Sequence, residues 1–336
     1  MQTDELAKTS DVIEEKISKK KRSEILRQQQ RSLVLMIAIF LLGAFSSYAI
    51  WGRPQQAVLG GQAPLPPQAS GTIADMAALI EQVNPSDGYD LGVSFGDLGP
   101  QVLAAGGIDL PAFIALFESS GTPLLDEQIE ALTQNSDQQI VINAGNSRFL
   151  LNFFWAVGIV NENPILTEGP ITQRSEGQID RFASTGGWTL GTKAVTDLFA
   201  SEELIPLNPE QQARVEDAAA LIYRPCCNNP TLFPDCNHGM AMLGLLELLA
   251  SQGASVDEML EAAKYVNAFW FPQQALEMAV FFETDQDEST SFRNASPALI
   301  VGKEMSSGSG FAALHQNLQT NGLLPQMPGS SNSCAA

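Results

Sequence analysis

Three of the four cysteines of this chain and one of its two histidines lie close together in the sequence. The segment Arg224-Pro225-Cys226-Cys227 is followed, after eight residues, by Cys236-Asn237-His238. Three thiols and an imidazole form a suitable tetrahedral donor set for zinc, and sulfur ligands also suit Cu(I). The residue types and their spacing therefore predict a site for one copper or zinc ion, with Cys226, Cys227, Cys236 and His238 as ligands.

Two methionines follow the cluster directly. Met240 and Met242 carry thioether sulfurs, and on a helix His238 and Met242 would share one face at i and i+4. A thioether beside thiolates favours copper over zinc. Met240 and Met242 are therefore further candidate ligands, and the alternative for both is a place in the apolar core.

The same cysteines allow two other interpretations. In an oxidising compartment, Cys236 paired with Cys226 or Cys227 would form a disulfide that joins the flanking helices, with the third thiol free or paired with Cys334. A thiolate at a helix start is also a nucleophile, so Cys236 is a candidate for a thiol enzyme. The sequence leaves the metal site, the disulfide and the reactive thiol open.

Helices are expected on both sides of the cluster. Asn208 followed by Pro209 and Gln211 is typical of a helix start and predicts a helix from 209 to 223. Asp235 is expected to cap a second helix at about 236–250. The cysteines would then lie between the end of one helix and the start of the next.

Two more helices should follow. Ser255 and Glu258 form a capping-box pattern that opens a helix ending before Pro272, and residues 273–283 predict another. Other helical patterns of the chain cover 73–83, 110–121, 123–134 and 148–160. The stretch 171–191 is Gly-rich and irregular, with room for a short hairpin. The predicted fold class is therefore mainly α, in one domain over 73–324 with irregular Gly-rich loops.

The N-terminal region predicts a membrane anchor. Residues 32–52 carry no charged side chain and are mostly apolar, and some 20 such residues are what about 30 Å of hydrocarbon requires of a helix. The basic run Lys19–Arg22 places residues 1–31 on the cytoplasmic side. The prediction is an uncleaved, single-pass signal anchor in the cytoplasmic membrane, with a cleaved signal peptide as the alternative. The C-terminal domain would be extracytoplasmic.

Charge and composition distinguish the other regions of the chain. The formal net charge is −20, distributed as +2 over residues 1–31 and −22 over the rest, which argues against nucleic-acid binding. Residues 53–72 are rich in Pro, Gly and Gln and predict a flexible stalk, and 325–336 predict a disordered tail. Apart from the membrane, the expected partner is an envelope protein that the sequence does not specify.

Familiar catalytic signatures are missing from the sequence. The chain contains no Gly-x-Ser-x-Gly, His-Glu-x-x-His, P-loop or Cys-x-x-Cys-His motif. His315 stands alone on a helical pattern, and paired acids such as 202–203 have the character of solvated faces. No catalytic residue is therefore predicted, and binding or a structural role is favoured over enzymatic activity.

The region around the cysteines resembles the PCYCGC-motif proteins of the bacterial cell envelope. The matching residues are Pro225-Cys226-Cys227 and Asp235-Cys236, followed more loosely by Gly253-Ala254-Ser255 with Glu258. The resemblance covers about residues 209–264. It implies an exported, surface-tethered, cysteine-rich module of unsettled function, with metal handling as one option.

Overall fold

The structure is a computed structural model that describes residues 73–284 and 291–325, and this part of the chain is mainly helical, as predicted. The helices, in chain order, are α1 (Ile73–Val83), α2 (Leu98–Ala104), α3 (Leu110–Ser119), α4 (Asp126–Thr133), α5 (Ser147–Val160), α6 (Pro164–Thr167), α7 (Pro170–Ser175), α8 (Ala183–Gly186), α9 (Val195–Leu198), α10 (Pro209–Leu221), α11 (Asn237–Ser251), α12 (Val256–Trp270), α13 (Pro272–Thr284), α14 (Pro297–Ile300), α15 (Lys303–Ser306) and α16 (Gly308–Asn321).

Two strands that were not predicted from the sequence pair in an antiparallel sheet. They are β1 (Tyr89–Gly96) and β2 (Ser136–Ile142), with Tyr89 opposite Ile142 and Gly96 opposite Ser136. Alternate residues of β1, from Leu91 to Phe95, are buried, which is the period-two pattern of a half-buried strand. The register shifts between the paired positions, so the sheet is irregular.

Helices α5 and α11 pack against each other at the centre of the main core. Residues Phe149–Val160 of α5 and His238–Ala250 of α11 are buried without interruption. A Cβ added at Gly158 would lie 2.2 Å from the carbonyl oxygen of Met240, and one at Gly244 would lie 2.7 Å from that of Phe154. The two backbones therefore touch, and this contact fixes the helix that begins at the cysteine cluster.

A second apolar cluster is formed by α1, α12, α13 and the C-terminal helices. Helices α13 and α16 are also joined by a polar contact, because Nδ1 of His315 lies 2.7 Å from Oε2 of the buried Glu277. This contact places the isolated His315 of the sequence analysis in a structural pair. It also holds α16 in position beside the rest of the domain.

The helices that flank the cysteines match the prediction with small differences. Helix α10 ends at Leu221, two residues before the predicted end at Tyr223, and the Ser255–Glu258 capping box of α12 is confirmed. The predicted cap at Asp235 is wrong, since the N-cap of α11 is Cys236 and the Asp235 side chain pairs with Arg224 instead.

The stretch 171–191 contains short helices instead of the irregular segment or hairpin that was expected. Pro170 opens α7, a 3₁₀ turn covers Ile179–Arg181, and α8 follows. Tertiary contacts hold this region: Nε1 of Trp188 donates to the carbonyl oxygen of Gly107 at 2.9 Å, and Nε1 of Trp155 to that of Ser184 at 2.6 Å.

Among the helices of residues 73–284 and 291–325, none is both long and apolar enough to cross a membrane. The predicted anchor at 32–52, the flanking segments 1–31 and 53–72, and the predicted tail beyond Pro325 lie outside the described residues.

Candidate metal centre

The loop between α10 and α11 brings three cysteine sulfurs together. The Sγ atoms of Cys226, Cys227 and Cys236 all lie within 4.8 Å of one another. Those of Cys226 and Cys236 are 3.5 Å apart, and all three residues are free thiols in the structure. Cys226 is exposed, whereas Cys227 and Cys236 are partly buried. Three of the four predicted ligands thus form one compact group at the edge of the domain.

A buried arginine contacts this group. The side chain of Arg224 is 1% exposed, and its Nε donates a hydrogen bond of 3.0 Å to Sγ of Cys236. Its Nη1 donates to the carbonyl oxygen of Asn229 at 3.1 Å, and Nη2 lies 3.1 Å from Oδ1 of Asp235. A guanidinium presents its donors in a fixed plane, so Arg224 ties the sulfur and the loop backbone to one rigid group.

Asp235 completes the polar network beside the sulfurs. Besides accepting from Arg224, its carboxylate accepts from Nδ2 of Asn229 at 2.7 Å, and Sγ of Cys227 lies 3.8 Å from Oδ1. Both carboxylate oxygens of Asp235 therefore have partners already. The aspartate balances the charge of Arg224 and orients the loop.

The guanidinium needs the space that Gly239 leaves in the first turn of α11. A Cβ at this position would lie 2.3 Å from Nη2 and 2.4 Å from Cζ of Arg224, which is far below any normal contact distance. Glycine therefore allows the close approach of the arginine to the helix, and a side chain at this position would displace the hydrogen-bonded guanidinium.

The loop is also bonded to the start of α16. The backbone N–H of Gly308 donates to the carbonyl oxygen of Cys227 at 2.7 Å, and the N–H of Ser309 donates to Oδ1 of Asn228 at 2.7 Å. A segment far along the chain thus fixes the loop that carries two of the sulfurs.

The three thiols share hydrogen bonds, and negative charge is favoured on one of them. Hydrogen bonds from Cys226 and Cys227, with the charge of Arg224, hold the pKa of Cys236 well below its ordinary value although burial opposes this. Hydrogen bonding to its neighbours, together with burial, raises the pKa of Cys226. For Cys227, the hydrogen bond with Cys226 lowers the pKa, but the hydrogen bond with Cys236 and burial outweigh it and raise the pKa to about 11. The cluster is therefore suited to a thiolate at Cys236.

His238, the fourth predicted ligand, lies near the cluster but in a different setting. Its Nδ1 lies 2.9 Å from Oδ1 of Asn237, and its ring is packed 4.5 Å from the ring of Phe271 and 5.7 Å from that of Trp270. Burial lowers the pKa of His238 to about 4, so the imidazole is neutral at pH 7. The structure does not include it in the group of converging ligand atoms.

The two methionines lie in the apolar core. Met240 and Met242 are at most 1% exposed and belong to the main hydrophobic cluster around α5 and α11. Their positions match the core alternative that the sequence left open.

The contribution of Arg224 to the site was not predicted from the sequence. A signal was present: after residue 31 the chain has few basic residues, and one of them directly precedes Pro225-Cys226-Cys227. A neighbouring cation stabilises the thiolate form of a cysteine.

In comparisons with known proteins, no protein family, curated protein or solved structure matches the chain.

Proposed function

We propose that this protein binds one soft metal ion through the thiolates of Cys226, Cys227 and Cys236. The observation that carries the proposal is the convergence of three sulfurs within 4.8 Å, with a buried guanidinium donating to one of them. Thiolate is the ligand of choice for soft and borderline ions such as Cu(I) and Zn²⁺. His238, the fourth ligand that the sequence predicted, is not part of this group, and its Nδ1 lies against Oδ1 of Asn237.

Arg224 supports metal binding in two ways. Its Nε–H donates to the sulfur of Cys236 and so favours the thiolate, and the same hydrogen bond orients that residue before any ion arrives. Groups in this position around a metal site commonly change metal affinity by about 10–100-fold. The exposed Cys226 gives an ion access from solvent, which suits sensing or trafficking as well as a structural ion.

The proposed setting is the outer face of the cytoplasmic membrane. The apolar, charge-free segment 32–52 and the basic run before it support a single-pass anchor, and the domain beyond it carries the negative charge. The resemblance to the PCYCGC-motif proteins agrees with an exported, surface-tethered module.

Elemental analysis of the full-length chain tests the metal proposal. Purified without a His tag and under anaerobic conditions, the protein should carry about one equivalent of copper or zinc, and a chelator should lower its Tm. Because the ligands must be deprotonated, binding should weaken as the pH falls. Cys226→Ser should abolish binding, whereas Cys334→Ser is the matched control outside the cluster. Metal-free protein that also fails to take up copper or zinc would overturn the proposal.

The second candidate function is a disulfide-clipped scaffold domain of the envelope that carries no metal. The separation of 3.5 Å between the sulfurs of Cys226 and Cys236 favours it, because a modest side-chain movement brings two thiols at this separation to bonding distance. Thiol counting on the denatured chain separates the two functions: four free thiols fit the metal site, and two or fewer fit the disulfide. In the disulfide case a chelator should leave the Tm unchanged.

A third function, a thiol enzyme with Cys236 as nucleophile, draws support from the hydrogen bond of Arg224 to its sulfur. An electrophilic probe that labels Cys236 alone, much faster than Cys226 and Cys227, would favour this function over the other two.

A further inference from the structure

The donor set of the proposed site, within the described residues, consists of sulfur alone. Both oxygens of Asp235 have partners in Arg224 and Asn229, and neither ring nitrogen of His238 lies within 4.8 Å of all three sulfurs. The atoms that converge on one point are the three Sγ atoms. Among the described residues, an ion in this position would meet three sulfurs and no nitrogen or oxygen ligand.

A set of three thiolates matches a particular coordination chemistry. Zinc in structural sites takes four ligands, so three cysteines leave it one ligand short. Trivalent arsenic and antimony make three bonds in a pyramid, and their lone pair occupies the fourth direction. The adjacent pair Cys226–Cys227 supplies two sulfurs and Cys236 closes the pyramid from the other side of the loop.

The charges around the sulfurs favour the same class of ion. Arg224 and Asp235 form an ion pair of 3.1 Å, so the polar network contributes no net charge. The complex of three thiolates with one ion has a net charge of −2 for a monovalent ion, −1 for a divalent ion and zero for a trivalent ion. Because a net charge beside partly buried groups costs desolvation free energy, the neutral complex is preferred.

We propose that the three-cysteine site takes trivalent arsenic, as arsenite, or its antimony analogue. This inference rests on the proposed function and names the ion class of that same site. Arsenous acid exchanges three As–O bonds for three As–S bonds, and each oxygen leaves as water with the proton of one thiol. Arsenic stays trivalent, so no electrons are transferred and no further reactant is needed. The product is a neutral arsenic trithiolate held by Cys226, Cys227 and Cys236.

Sodium arsenite added to the reduced, full-length chain under anaerobic conditions tests the inference. Native mass spectrometry should show one arsenic atom per chain, and the number of free thiols should fall from four to one. X-ray absorption at the arsenic edge should find sulfur neighbours only. Arsenite should also displace zinc or Cu(I) that was bound beforehand.

Variants separate failure of this inference from failure of the proposed function. Cys334→Ser and His238→Ala should bind arsenite as the native chain does. Cys236→Ser should lose arsenite but keep phenylarsine oxide, which needs only two thiols, and retention of the latter shows that the pair Cys226–Cys227 is intact. Loss of arsenite in a folded His238→Ala chain would overturn the sulfur-only site.

The competition experiment requires no variant and covers the remaining outcomes. If zinc or Cu(I) binds to the cysteines and arsenite cannot compete, the proposed function stands and the arsenic assignment is wrong. If neither the metals nor arsenite bind the reduced chain, both proposals fail.

Discussion

The Nε–H of Arg224 points at the sulfur of Cys236 across a distance of 3.0 Å, from a side chain that is almost completely buried. Burying a guanidinium costs free energy unless its N–H groups donate hydrogen bonds. Those of Arg224 donate to a thiol, two carbonyl oxygens and a carboxylate. The contact joins the end of α10 to the start of α11. It makes one residue responsible both for the shape of the loop and for the charge at the sulfurs.

Replacing this arginine should change the reactivity of Cys236. In Arg224→Lys a point charge remains but the planar set of donors is lost, so the pKa of Cys236 should rise toward the ordinary cysteine value. Alkylation of Cys236 by iodoacetamide, followed against pH by mass spectrometry, should need a higher pH than in the native chain. An unchanged pH profile in a folded variant would show that Arg224 does not stabilise the thiolate.

The glycine that accommodates the arginine should be equally sensitive. Gly239→Ala places a methyl group 2.3 Å from Nη2 of Arg224 and should displace the guanidinium, which lowers Tm and also raises the pH needed to alkylate Cys236. Gly244→Ala is the matched control, because its Cβ would meet the α5 backbone instead. Both variants should lose stability, but only Gly239→Ala should alter the thiol. Identical alkylation in the two would contradict the proposed role.

A buried glutamate predicts how stability depends on pH. Burial raises the pKa of Glu247 well above its ordinary value, opposed only in part by the side chains of Asn161 and Asn163. Because the folded state holds this proton more tightly than the unfolded chain, the stabilisation is complete below the unfolded pKa and is lost as the pH rises through the folded pKa. Glu247→Gln keeps the shape without the charge, so it should remove this loss.

The free energy of unfolding of both proteins, measured by urea titration from pH 4 upward, checks the effect. The native chain should become progressively less stable relative to Glu247→Gln as the pH rises. Parallel curves for the two proteins would show that Glu247 does not titrate between the folded and unfolded states.

The capping box of α12 allows a test that is independent of the cysteines. The N–H of Glu258 donates to Oγ of Ser255 at 3.3 Å, and the Ser255 N–H donates to the Glu258 carboxylate at 2.8 Å. Ser255→Ala removes the acceptor and should cost about 0.5–2 kcal/mol in the free energy of unfolding. Ser255→Thr keeps the hydroxyl and should cost less. The measurement is chemical denaturation, and equal losses in both variants would show that the hydroxyl has no capping role.

The sequence predicts those elements whose start depends on residues close together in the chain. The starts of α10 and α12 depend on residues three positions apart, such as Asn208 with Gln211, and these were found correctly. The strands were not found, because β1 is stabilised by pairing with a segment after α4, and Tyr89 meets Ile142 only in the folded chain.

The candidate site shows the same limit. The cysteines could be found from their spacing, since they lie within one short segment. The contribution of Arg224 depends on the space left by Gly239 across the loop, and the position of Cys227 depends on a backbone hydrogen bond from Gly308. These relations are set by tertiary packing, which no short window of sequence contains.

The hydrogen bond between Gly308 and Cys227 can form only late in synthesis. A chain is made from its N-terminus, and α16 is the last helix of the described residues. When Cys226, Cys227 and Cys236 leave the ribosome, the segment that locks their loop has not yet been translated. Until α16 arrives, the loop lacks this hydrogen bond, and in that interval a wrong pairing or a premature ligand can reach the newly made thiols.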